Sequence, residues 1–355
     1  ESMAEVVNFI SDGLRLSPSE FAQVLSDCAQ SGEIQQDSYA LGGVVEEAEA
    51  KFAQLLGKEQ AVFMPTGTMA NHIALRQLAG SQGKVIVQAD SHIYRDIGDS
   101  AQTLSGLNLI PLASGRVGFT LDEVEGVVAS LVSERVATRV KAISIESPVR
   151  RHEDAIFGYD EIERISQFAR QHEIRMHLDG ARLFVEAAHC GIEPAKIAAH
   201  FDTVFVSLSK CFNSASGAIL AGPAADMGGL FHTRRMFGGS LPQAWPQAAV
   251  ALHYADGFLA SYRTAWQIAD ELFGLLDQQT GLRVERIPNG THIVKLHVAN
   301  TDLESFRDRL HDHQVHLPPV VPGETWFTLK VNPSMNGRQA QDVAAAFHAA
   351  LHPAG

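Results

Sequence analysis

The chain has 355 residues, 45% of them hydrophobic and 19% charged, an ordinary globular composition that excludes a disordered polypeptide. Its 28 Lys+Arg against 41 Asp+Glu give a net charge of −13, a surface that repels nucleic acid and anionic membrane and predicts neither as a partner. Three scattered cysteines are too few for a disulfide framework or a thiolate zinc site, and no apolar run reaches the roughly 20 residues of a membrane span. The expectation is a soluble, cytoplasmic protein without a metal.

In chain order, Glu1-Ser2 ahead of Met3 reads as a cloning remnant, and residues 1–29 are expected to lie across a larger domain. Short apolar runs recur at Ala61–Met64, Lys84–Gln88, Lys141–Glu146, Ile174–Leu178, Thr203–Leu208 and Gly217–Ala221, the pattern of strands buried on both faces of a mostly parallel sheet. A helix over Asp160–Glu173, with Asp160 as N-cap, places Ile162, Ile165, Phe168 and Ala169 on one face. Alternating strands and helices predict an α/β class with helices flanking the sheet. After residue 246 the pattern changes. Gln247–Leu276 reads as one long or broken helix, then Thr291–Val298 (strand), Leu303–His311 (helix), a Pro-rich loop at His316–Gly323, Trp326–Val331 (strand) and Arg338–Leu351 (helix) suggest a smaller α+β domain. The expected division is 1–29, 30–246 and 247–355.

Three segments carry chemistry. Met64-Pro65-Thr66-Gly67-Thr68 is a strand, a turn and the start of a helix near Thr68, a geometry that aims backbone N–H groups and the positive helix end at one point and suits a phosphate. In His177-Leu178-Asp179-Gly180-Ala181-Arg182, Asp179 stands at the carboxyl end of a strand, where open α/β sheets bind ligands. It either faces a cationic ligand or caps the next helix and pairs with Arg182. In Leu208-Ser209-Lys210, a lysine ends a buried strand; it either has a depressed pKa and a nucleophilic amine or snorkels to the surface. Together, a phosphate cradle, an acid and a lysine are what pyridoxal phosphate needs: a place for its phosphate, a partner for its pyridine nitrogen and a Schiff-base amine.

These segments resemble the threonine aldolases and related β-eliminating lyases, pyridoxal-phosphate enzymes of the aspartate-aminotransferase fold type. The resemblance runs from Leu55-Leu56-Gly57-Lys58 to Gly238-Gly239, and its most specific stretch is His-Leu-Asp-Gly-Ala-Arg-Leu-Phe at 177–184. It implies that Lys210 carries the cofactor, Asp179 pairs with the pyridine nitrogen, Gly67 and Thr68 hold the phosphate, and Ser209 adjoins the cofactor. It implies also that His92, in Asp90-Ser91-His92-Ile93-Tyr94, stacks on the ring. Arg182 then reaches the substrate carboxylate or the cofactor's phenolic oxygen, and Ser11 lies beside that carboxylate.

The chain departs from the family pattern on the substrate side. Where members carry Glu-Asn-Thr-His-Asn, it has Glu146-Ser147-Pro148-Val149-Arg150, so a histidine is replaced by Val149. The arginine of a Gly-Gly-Gly-Met-Arg-Gln segment, which reaches a neighbouring subunit's phosphate, is Pro242 here, leaving Arg235 as the first substitute, Arg234 as the second, and then Arg150 or Arg151. No C-terminal carboxylate-binding arginine stands near Trp326-Phe327-Thr328-Leu329-Lys330, where Lys330 is the remaining cation. The histidines at 311, 313 and 316, and at 348 and 352, read as solvated faces, and Cys211 as packing. The implied activity is aldol cleavage of a β-hydroxy-α-amino acid such as threonine or allo-threonine to glycine and an aldehyde. The alternatives are β-elimination, racemisation or transamination on the same cofactor, or binding without robust catalysis. The implied assembly is a homodimer or homotetramer.

Overall fold

The computed structural model describes residues 5–31 and 34–353, so Glu1, Ser2 and Met3 lie outside it. Two compact units divide the chain: Pro18–Asp256, and Glu1–Ser17 with Gly257–Gly355. Strand β1 (Val7–Asn8) belongs to the second unit, where it pairs in parallel with Val315–His316. Its pairing differs from the expectation that residues 1–29 lie across the larger domain. Val7 and Phe9 are fully buried in the core of the C-terminal unit, which holds the segment there, while the helix Pro18–Gln30 groups with the larger unit.

The larger unit is built on seven strands: β2 (Gln60–Met64), β3 (Lys84–Gln88), β4 (Asn108–Leu112), β5 (Val140–Glu146), β6 (Arg175–Asp179), β7 (Thr203–Ser207) and β8 (Ala218–Gly222). Their order is β2-β8-β7-β6-β5-β3-β4. β7, β6, β5, β3 and β4 run parallel, and β8 is antiparallel to both its neighbours. Two reversals cancel, so β2 points the same way as the parallel five. The loops after β2, β3, β5, β6 and β7 therefore all leave one end of the sheet, where such folds place their ligands.

The apolar runs predict six of these strands and miss β4. Its sequence, Asn-Leu-Ile-Pro-Leu, contains a proline and pairs only with β3 at the sheet edge, where the missing ladder donor is tolerated. The helix Tyr159–Gln171 buries Ile162, Ile165, Ser166 and Ala169, but Gly158 is its N-cap and Asp160 sits inside the first turn, where a carboxylate still favours the positive helix end.

The segment expected as one long or broken helix is two helices, Trp245–Ala255 and Phe258–Asp277, interrupted at Asp256-Gly257. In the smaller unit, β9 (Leu282–Arg286), β10 (Ile293–Val298) and β12 (Trp326–Lys330) form an antiparallel sheet in the order β12-β10-β9, and β11 (Val315–His316) takes β1. Phe273, Phe306, Phe327 and Phe347 form its core beneath the helices Leu303–Asp312 and Ala340–Leu351. Among the described residues, no helix is long and apolar enough to cross a membrane.

Candidate active site

Six of the predicted residues meet at the carboxyl end of the sheet. Gly67, Thr68, His92, Asp179, Arg182 and Lys210 line one cavity of about 160 Å³, together with Glu146, Pro148, Arg150, Ala181 and Phe205. Each arrives there for a local reason. Thr66 caps the helix Gly67–Ala79 by accepting the Met69 N–H at 3.1 Å, and its carbonyl takes the Ala70 N–H. The N–H groups of Gly67 and Thr68 are left without an intrahelical acceptor. A Cβ at position 67 would stand 2.6 Å from Cζ of Phe205, so only glycine lets this helix start sit against β7. Ser91 accepts the Tyr94 N–H and holds the short turn that begins at His92.

Asp179 ends β6 and is 2% exposed. Its Oδ2 accepts the Asn71 side-chain N–H at 3.0 Å, and Asn71 Oδ1 lies 2.8 Å from His177 Nε2. Because the Asn71 amide nitrogen faces a carboxylate, its oxygen faces His177, and Nε2 carries the imidazole proton. His177 Nδ1 then accepts the Thr203 hydroxyl at 2.8 Å. The chain Thr203–His177–Asn71–Asp179 is thus polarised toward the acid. Burial drives His177 down to about 3, so it is neutral, and the imidazole orients Asn71 without adding charge. Burial also pushes the Asp179 carboxyl above its ordinary range, while His92, Lys210, the Ala181 N–H and Arg182 pull it back.

Glu146 ends β5 and is the register partner of Asp179 across the ladder. Its Oε2 accepts the His92 N–H at 2.6 Å and its Oε1 the Arg150 N–H at 2.9 Å. Burial and the Asp179 charge raise it to about 8, against the pull of those two amides and of Arg182. Sequence reasoning did not single out Glu146, although the argument that selected Asp179, an acid closing a buried strand, applies to it equally. Asn71 and His177 were also passed over as individual residues, although a buried polar pair within segments already chosen was the signal; Arg150 was read only as a later substitute, after Arg235 and Arg234, for the phosphate arginine.

The remaining expectations fall elsewhere. Ser209 is exposed, with its Oγ 3.3 Å from that of Ser207, and does not line the cavity. Arg182 is 6% exposed and lies 3.6 Å from Asp154, and its charge also pulls on the Asp179 carboxyl. Arg235 is exposed and lies over the Tyr39 ring at 5.1 Å, outside the lining of this cavity. Arg234 is fully buried, and its guanidinium donates to the carbonyls of Phe63 and Tyr39, so it is committed to holding the fold and is not a substitute phosphate ligand. Val149 is buried and bridged to Ala155, which leaves no side chain for proton transfer there. In the smaller unit, Lys330 lies 3.3 Å from Asp12, and Ser11 Oγ donates to the Gly13 carbonyl at 2.9 Å.

The buried acids give this protein an unusual pH response when free of cofactor. Glu146 is raised from 4.5 to about 8, and burial raises Glu186 and Glu49 from 4.5 to about 7. Between these limits the native state holds protons that the unfolded chain has released, so stability falls as pH rises. Burial lowers His177 and His72 from 6.5 to about 3 and about 4, which acts oppositely, but only below about pH 6.5. The cofactor-free protein should therefore lose stability most steeply between about pH 6.5 and 8, by on the order of 3 kcal/mol for the three raised carboxyls together. Urea midpoints across that range check this. A flat or rising profile, or one unchanged by Glu186→Gln, would contradict it.

Known proteins resemble this chain in sequence and in fold. A low-specificity L-threonine aldolase from Candida albicans is 29% identical over 262 residues, covering 73% of this chain and 69% of the relative. A low-specificity L-threonine aldolase from Arabidopsis thaliana is 23% identical over 294 residues, 81% of this chain and 82% of the relative. Among solved structures, a Listeria monocytogenes EGD-E protein whose L-allo-threonine aldolase name is provisional superposes with a TM-score of 0.80 at 24% identity, over 98% of this chain and 96% of that one. The shared fold is that of fold-type-I pyridoxal-phosphate enzymes. Residues 21–299 match the Beta-eliminating lyase family, and with most of its length accounted for in this way the chain belongs to that pyridoxal-phosphate-dependent family.

Proposed function

We propose that this chain uses pyridoxal phosphate to cleave the Cα–Cβ bond of a β-hydroxy-α-amino acid, of the threonine or allo-threonine kind, to glycine and an aldehyde. The observation that carries the reading is the meeting of Lys210, Asp179, His92 and the Gly67–Thr68 helix start in one cavity. The names of the threonine aldolase relatives support it.

The residues fit the cofactor. Asp179, buried at a cost to its charge, suits a protonated pyridine nitrogen, and the Asn71–His177–Thr203 chain holds it in place. The Gly67 and Thr68 amides and the Thr68 hydroxyl suit the phosphate, and the missing Cβ at Gly67 opens the approach. Lys210 supplies the only primary amine among the lining residues, and His92 a flat ring. When bound, the cofactor supplies an electron sink for the pair left on Cα.

The chain's own work is to place the substrate and move protons. Arg182 is a buried fork for the α-carboxylate. The substrate hydroxyl gives up its proton as the Cβ–O bond becomes a carbonyl, and Cα later takes a proton to leave glycine. His92, the Lys210 amine or a water are the candidate bases; Val149 is not one. Incubating the holoprotein with single amino acids and assaying aldehyde, pyruvate and ammonia tests the reading. Aldehyde with equimolar glycine is expected, and pyruvate or ammonia alone would move the assignment to β-elimination.

The active form is a homodimer or homotetramer in the cytoplasm, with Arg235 reaching a neighbouring subunit's phosphate. Its exposure and its position before Gly238-Gly239 motivate this. Arg235→Ala should weaken cofactor retention by a charge-assisted hydrogen bond, roughly 10–150-fold. Arg182→Ala should raise the substrate KM with the cofactor largely retained. Titrating the cofactor-free proteins with pyridoxal phosphate distinguishes them, and equal affinity for wild type and Arg235→Ala would reject the role of Arg235.

A further inference from the structure

We propose that Arg150 recognises a second carboxylate, so that the preferred substrate is a dicarboxylic β-hydroxy-α-amino acid and the aldehyde product is itself an acid. The inference rests on the lyase reading above for the reaction, and on the geometry of Arg150 for the ligand class.

Arg150 lines the same cavity as Lys210 and Arg182. Its backbone N–H donates to Glu146 Oε1 at 2.9 Å, which pins the root of the side chain to the acid at the end of β5. That anchor does not involve the guanidinium. The side chain's neighbour is Asp96, but Asp96 is already taken by Arg151 through two nitrogens, Nη2 to Oδ1 at 2.7 Å and Nε to Oδ2 at 3.3 Å. Arg150 adds a single contact to the same carboxylate, Nη1 to Oδ2 at 3.3 Å. One carboxylate faces two arginines, so a full positive charge is left in surplus at this rim. Asp90 does not cancel it, being met by Arg95 at 3.7 Å and by His152 at 3.0 Å, and Glu146, whose carboxylate holds the Arg150 backbone N–H, is pushed toward its neutral form by burial and the Asp179 charge. In a chain of net charge −13, a surplus cation at the mouth of the cavity calls for an anionic ligand.

Depth separates the two arginines. Arg182 is 6% exposed, whereas the Arg150 side chain is 55% exposed. A monocarboxylic substrate needs one fork, and Arg182 offers it from within. A second fork at the rim fits a carboxylate on the Cβ side of the substrate. Cleavage balances as before: the Cα–Cβ bond breaks, its electron pair stays with Cα, the hydroxyl oxygen becomes a carbonyl, and a proton returns to Cα. The products are glycine and an oxo-acid.

The test compares wild type with Arg150→Gln and Arg150→Lys. Turnover is measured on 3-hydroxyaspartate and allo-threonine, and calorimetric binding on succinate and butyrate, which lack the amine and cannot react. Because the guanidinium is half in solvent, the expected fall in the ratio of kcat/KM, dicarboxylic over monocarboxylic, is about tenfold in Arg150→Gln and smaller in Arg150→Lys. The advantage of succinate over butyrate should fall in parallel and shrink with added salt. Equal losses on both substrates and both ligands, or no preference for dicarboxylates in wild type, would overturn the proposal. If neither amino acid is cleaved while the succinate preference is present and lost in Arg150→Gln, the lyase reading fails and the anion site stands.

Discussion

Lys210→Ala should lower turnover by at least about 10³-fold, because no other lining residue carries a primary amine to take its place. The same substitution removes the reducible covalent link to the cofactor aldehyde. Borohydride treatment of the wild-type holoprotein should therefore discharge its yellow colour and leave the cofactor fixed to the peptide that contains Lys210. In Lys210→Ala the label should be absent. The placement argues for this amine over the chain's other lysines. Leu208, two residues before it, is tied through its N–H to Gly217 and through its carbonyl to Ser214, which sets the loop that delivers Lys210 into the cavity beside Asp179. Peptide mapping that finds the adduct on another lysine, or finds none, would end the whole reading.

Much of this site was legible because chemistry concentrates at strand ends. Lys210, Asp179, His92 and Gly67 each follow a short apolar run, and the parallel sheet brings such positions together whatever the loops do. The missed strand Asn108–Leu112 lacks that signal, since this edge strand has a proline, no fully buried residue and only one β-branched residue, Ile110, to mark it. Glu146 was overlooked for a different reason. A glutamate closing a strand looks like solvated surface until the ladder sets it opposite Asp179. Arg234 and Arg235 are adjacent and chemically identical, yet one is sealed against two backbone carbonyls and the other lies over a tyrosine. Helical phase decides between them, and at the end of a seven-residue helix the sequence does not fix that phase to one residue.

The second large effect should come from Asp179→Asn, and it should split activity from stability. The substitution keeps an oxygen to accept the Asn71 N–H but removes the charge that would pair with a protonated pyridine nitrogen. Turnover should fall on the order of 10³-fold, the scale seen when a preorganised electrostatic partner is removed from a buried site. The cofactor-free protein should behave oppositely. Burial raises the Asp179 carboxyl above its unfolded value, so its ionisation destabilises the native state as pH rises, and the Asp179 charge is also one of the causes that raise Glu146. Without it, Glu146 titrates lower and both losses shrink. Asp179→Asn should therefore unfold at higher urea than wild type at pH 8, with the difference narrowing toward pH 5. Asp179→Ala should not share the gain, because it strands the buried Asn71 N–H. Retention of more than a tenth of wild-type turnover by Asp179→Asn with cofactor bound would remove Asp179 from the chemistry. A cofactor-free variant less stable than wild type at pH 8 would mean that the carboxylate is more than compensated by its neighbours Asn71, His92 and Lys210.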